Sequence, residues 1–174
     1  MRNKNIVSII VGFFGYILIQ LLFFRNTQLF GLAFCFPYIA FILLLPFGQN
    51  GIGSMVLAFI LGITVDIFYD TLGIHAAACV FMAFARNYYL KNFGGGDKYD
   101  ANDIPSVLLL GNGGFLSLTL PLIFLHHFTF LMIEASNWAL IGRTLLQAVL
   151  STVFTALILL CIQMILYPVQ KRRL

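Results

Sequence analysis

Charge is what this chain has least of. Of its 174 residues, ten are Lys or Arg and six are Asp or Glu, only 9% of the total. A soluble domain carries about 25% charged residues and 45–50% apolar ones. Here 61% are apolar, and the mean hydropathy is +0.98. So few charges cannot cover a globule of this size, which excludes a soluble enzyme. A membrane-spanning helix needs about 20 apolar residues, so the length leaves no room for a catalytic domain outside the bilayer.

Cysteine is scarce too. Cys35, Cys79 and Cys161 stand alone in apolar runs, with no C-x-x-C pair. This excludes a disulfide framework and a thiolate metal site, and the three read as small buried hydrophobes. Also missing are H-E-x-x-H, G-x-S-x-G and the Walker lysine motif. No run carries the serial acids or arginines of a pump or voltage sensor. The chain is therefore expected to be no enzyme, and to hold no metal or cofactor. Its basic residues are too scattered for nucleic acid, despite a pI near 9.1.

What is present is a series of apolar runs parted by short polar breaks. They predict six membrane spans in one domain, 1–174: about 6–24, 29–47, 51–69, 74–90, 106–133 and 138–167. The expected fold is an all-α polytopic membrane protein, a bundle of six transmembrane helices. The fifth run contains Gly111-Asn112-Gly113-Gly114 and Pro121, so it is expected to bend. The first run is read as a retained span, since no small-x-small cleavage site follows it.

Positive charge sets the orientation. With the N-terminus inside, Arg2, Lys4, Arg86, Lys91, Lys98, Lys171, Arg172 and Arg173 are cytoplasmic. Only Arg25 and Arg143 are then outside. Both termini are expected in the cytoplasm, with Trp138 at the outer interface and Tyr88, Tyr89 and Tyr167 near the inner one. Arg86 is expected to snorkel to phosphates. The loop 91–105, with Gly94-Gly95-Gly96, reads as a solvated linker or a docking loop.

The third run is the most patterned. Ser54, Ala58, Gly62, Asp66 and Asp70 recur at i, i+4 steps, which places them along one helix face. Small residues allow close helix approach in lipid. Such a face suits either a packing seam within the chain or a seam for a partner helix. Gly111, Gly114 and Ser117 make a similar face in the fifth run, and Gly12 and Gly15 a lesser one in the first. Asp66 is an intramembrane carboxylate, and such groups need a partner. His75 opens the next run, so an Asp66–His75 hydrogen bond is expected as a polar clamp, with Asp70 or Thr71 capping the fourth helix. Proton or metal binding is the rival reading. His126 and His127 are neighbours whose side chains diverge on a helix, so they suit a shared metal badly. One is expected to face the bundle and the other the interface. Asp66, His75, His126, Glu134 and Asn137 all fall towards the outer side.

The run from Gly62 to Ala76, with Gly-x-x-x-Asp, a short turn and Leu72-Gly73-Ile74-His75-Ala76, resembles the central hairpin of the rod shape-determining protein MreD family. Pro37 with Tyr38, and the basic Arg86 closing the fourth run, fit the same pattern. The resemblance implies a non-enzymatic scaffold in the bacterial inner membrane. Its implied partners are MreC, RodA and the transpeptidase partner of RodA, with MreB reached indirectly. It also implies a fold like the substrate-binding subunits of energy-coupling-factor transporters. Homo-oligomers are compatible with it. Asp66, Gly73 and His75 match family positions, but the resemblance implies no catalytic residue. A substrate-binding subunit of a vitamin transporter is the alternative of the same size.

Overall fold

The computed structural model describes residues 2–93 and 99–166. The chain is mainly helical: α1 (Arg2–Ile19), α2 (Ala40–Leu43), α3 (Gly51–Tyr69), α4 (Ile74–Phe93), α5 (Val107–Ala135) and α6 (Ile141–Leu166). Three helical stretches among the described residues are long and apolar enough to cross a membrane: Gly51–Tyr69, Val107–Ala135 and Trp138–Leu166. Their outer surfaces are greasy. Ile52, Ile67, Leu108, Leu157 and Ile165 are all more than half exposed. In water this would be a large unpaired apolar patch; in lipid it is an ordinary surface.

Local chemistry explains the helix ends. The Asn50 side chain accepts the Ile52 N–H at the start of α3, and Ser106 does the same for Leu109 at the start of α5. α3 ends on Asp70 in a left-handed conformation, φ 56°, and α5 ends on Ser136, φ 47°. Between α3 and α4 the chain turns at Gly73, φ 87°. The expected bend in α5 lies at Gly111, whose φ 70° and ψ 171° belong to a region only glycine visits readily. Pro121 sits inside the helix without such a break.

The segment expected as the second helical span, 29–47, is not one helix. Gln28–Leu29 and Ala33–Phe34 form a small antiparallel pair, β1 and β2. A 3-10 turn, Pro37–Ile39, leads into the four-residue α2. The reasons are local. Phe30 and Gly31 take positive φ angles of 54° and 66°, and Pro37 displaces Phe36 from helical angles (φ −120°, ψ 67°). Apolar content alone does not distinguish a helix from a buried irregular strand. The other boundaries shift slightly: α4 runs on to Phe93, and a 3-10 turn, Trp138–Leu140, precedes α6. Tyr167 lies outside the described residues.

This irregular segment occupies the centre of the molecule. It packs against α1, α4 and α6, while α3, α4, α5 and α6 pack on one another in sequence. Every residue from Cys35 to Leu43 is buried. Irregular backbone at membrane depth is tolerable only where protein or a wet cavity satisfies it.

Candidate functional site: a polar core around the irregular segment

Side chains from distant parts of the chain satisfy that backbone. Ser151 Oγ accepts the Phe34 N–H at 2.9 Å, and Thr155 Oγ1 accepts the Phe36 N–H at 3.2 Å. Gln20 Nε2 donates to the Cys35 carbonyl at 3.3 Å and to the Tyr69 hydroxyl at 2.6 Å. Gln20 lies at the start of a π-helical turn, Gln20–Phe24, that continues α1. Arg86 donates from Nε to the Leu43 carbonyl at 3.3 Å, and from Nη2 to the Leu45 carbonyl. It thereby serves the carbonyl end of α2. Arg86 therefore does not snorkel to phosphates: it is 1% exposed and faces inwards. The rigid guanidinium fork presents donors on separate nitrogens, which suits two carbonyls at once.

A cluster of titratable groups lies in the same core. Tyr38 stands between two imidazoles. Its hydroxyl lies 2.8 Å from His75 Nδ1 and 2.9 Å from His126 Nε2. Cys79 Sγ is 3.7 Å from both the Tyr38 hydroxyl and His126 Nε2. His127 Nε2 reaches Thr155 Oγ1 at 2.9 Å. Phe36 meets His75 and His126 edge-on and stacks on His127. His126 and His127 are thus both buried, against the expectation that one would face the interface. Cys35 and Cys79 are buried as expected, but Cys161 is exposed.

Asp66 acts one turn away. Its Oδ1 accepts the His75 backbone N–H at 3.0 Å and the Thr71 hydroxyl at 2.5 Å; Oδ2 accepts the Ala76 N–H at 2.9 Å. A carboxylate on free N–H groups at a helix start is favourable on both hydrogen-bonding and dipole grounds. The cap of α4 is therefore Asp66 from the preceding helix. Asp70 is exposed, and Thr71 donates to Asp66. The expected Asp66–His75 contact exists through the His75 backbone, which leaves the ring for Tyr38.

Of the residues named from the sequence, Ser54, Ala58, Gly62 and Asp66 lie buried on α3. Ser54 Oγ bonds with the Asn87 side chain of α4. A Cβ at Gly62 would fall within 2.7 Å of the Ala76 nitrogen and 2.8 Å of the His75 oxygen. The α3 seam is thus filled by α4 of the same chain. Gly111, Gly114 and Ser117 instead lie exposed on α5. Glu134 and Asn137 are exposed and stand apart from the histidine cluster; the Asn137 side chain accepts the Ala139 N–H. Tyr38, Gln20, Tyr69, Ser151 and Thr155 are the functional core residues not singled out from the sequence for this role. Their signal was a polar atom within an apolar run. Among the described residues, no group of three or more His, Cys, Asp or Glu side chains could hold a metal ion.

No family model, curated protein or solved structure matches this chain.

Proposed function

We propose that this chain is a non-enzymatic scaffold subunit of the bacterial cell-elongation machinery in the inner membrane, similar to MreD. It spans the membrane several times, with both termini cytoplasmic, and binds the single membrane helix of MreC. Through MreC it positions RodA and the transpeptidase partner of RodA, with MreB engaged indirectly. The reading rests on the Gly62–Ala76 pattern and on one structural observation. The α5 face of Gly111, Gly114 and Ser117 is exposed, while the comparable face of α3 is already covered by α4. Small residues on a lipid-facing helix let a second backbone approach closely. Beside this face lies a groove of about 140 Å³ bounded by Phe47, Tyr89, Tyr99, Gly114 and Ser117.

The vitamin-transporter reading has less support. It needs a polar pocket open to the outside. The groove at Asn137 and Trp138 is otherwise walled largely by apolar side chains such as Leu125, Phe128 and Met132.

The test is affinity purification of the whole chain in mild detergent, with identification of the proteins retained. MreC is expected with the wild type and lost with Gly114→Leu. Absence of every elongation protein from the wild-type eluate would overturn the function. Undiminished MreC with Gly114→Leu would overturn the face.

A further inference from the structure

The Tyr38 hydroxyl carries one proton and has two imidazole partners. It can donate to only one of them and must accept from the other. His75 and His126 are thereby forced into opposite hydrogen-bonding roles. If Tyr38 donates to His75 Nδ1, His75 keeps its proton on Nε2. His126 must then donate from Nε2, which leaves its Nδ1 bare. The reverse arrangement exchanges these roles. In each, one far nitrogen carries a proton and the other is the open site for an added one. His75 Nε2 and His126 Nδ1 are buried and have no hydrogen-bond partner.

We propose that His126, Tyr38 and His75 form an intramembrane proton relay, in which the phenol passes one excess proton between the two imidazoles. An excess proton on His126 Nδ1 makes that ring an imidazolium. Its Nε2–H bond breaks, and that proton goes to the Tyr38 oxygen. The proton already on Tyr38 goes to His75 Nδ1. His126 ends neutral and His75 ends as the imidazolium. No ring turns, and no electrons are gained or lost.

Three features favour this over a merely structural cluster. Phe130 lies 4.5 Å from the His75 ring and Phe36 lies 5.1 Å away, so an apolar wall keeps water from short-circuiting the phenol. The Asp66 carboxylate stands at the His75 end, on that residue's own backbone N–H. His127 stands at the other end, its ring 5.7 Å from His126. The remaining titratable groups that face the relay are Tyr69 on α3 and Cys79 on α4. Charge is thus better accommodated at His75 than at His126, which gives the relay a direction. Intramembrane ionisable groups commonly mark such paths. The relay is independent of any partner on α5.

The test is nitrogen-15 NMR of the full chain, labelled at histidine, in lipid nanodiscs. The chain has three histidines, and His127→Gln assigns the third. At neutral pH, His75 and His126 are expected in the same tautomer, both Nε2–H or both Nδ1–H, because they face Tyr38 through different nitrogens. On acidification their resonances are expected to shift together, in one shared step. In Tyr38→Phe that step is expected to split into two separate ones. Unlike tautomers, or two independent steps in the wild type, would overturn the relay. The wild-type titration decides this even if Tyr38→Phe does not fold, and Cys79→Ser, which keeps all three relay groups, is expected to retain the single step.

Discussion

Gly62 of α3 lies flush against the backbone of Ala76 on α4, close enough that no side-chain carbon fits between them. This contact joins the helical hairpin at the point where Asp66 caps the second helix. It also makes the hairpin sensitive to the smallest substitution. Gly62→Ala puts a carbon against backbone atoms, which cannot rotate away. Overpacking of this kind costs about 1–3 kcal/mol. The unfolding midpoint in detergent is expected to fall accordingly. An unchanged midpoint would mean that the two helices can separate freely.

Asp66→Asn retains one good acceptor but loses the second. The amide nitrogen cannot accept the Ala76 N–H, so a buried donor is left unpaired. That costs about 1–3 kcal/mol. Hydrogen exchange at the His75 and Ala76 amides is expected to quicken, with Asp66→Ala faster still. Equal protection in all three proteins would show that the carboxylate does not hold the helix start.

Arg86 is expected to resist conservative replacement. A lysine ammonium gathers its three donors on one nitrogen and lacks the planar fork that presents Nε and Nη2 to two carbonyls. Arg86→Lys should therefore loosen residues 43–47, read as increased proteolysis or amide exchange in that stretch. If Arg86 faced the lipid phosphates instead, lysine would substitute without effect.

At Gly111 the strain is backbone strain alone, because nothing lies within 4 Å of an added Cβ. Gly111→Ala forces an L-residue into a region that costs about 1–3 kcal/mol. Gly113→Ala is the matched control. It too has open space, but its backbone lies within the regular part of α5. A helical Gly→Ala change is expected to be neutral, or to stabilise by up to about 1 kcal/mol. The midpoint should fall in Gly111→Ala and hold or rise in Gly113→Ala, and a common fall would refute the break.

The hairpin was the most legible part of the sequence. The run from Ser54 to Asp66 has helical spacing, small residues at the seam and a carboxylate at its end, all within one continuous stretch. The α5 bend was legible for the same reason, since Gly111 and its neighbours are local signals. The second run was not. Pro37 marked a turn, but apolar composition is shared by a membrane helix and a buried irregular strand. Arg86 misled because its position near a helix end suits lipid phosphates as well as carbonyls.

By itself, then, the amino-acid sequence determined the class of solvent, the apolar segments and the local hairpin chemistry. Composition, helical period and turn residues act over a few positions along the chain. Only the tertiary structure decided that the second segment runs irregularly through the core, that Arg86 turns inwards and that Tyr38 links two histidines. Those outcomes depend on where the backbone hydrogen bonds are satisfied. Here the partners of residues 34–36 come largely from Ser151 and Thr155 on α6, 117 and 119 positions away. No local pattern carries that information, because a serine or threonine in an apolar helix looks the same whether it faces lipid or holds a strand.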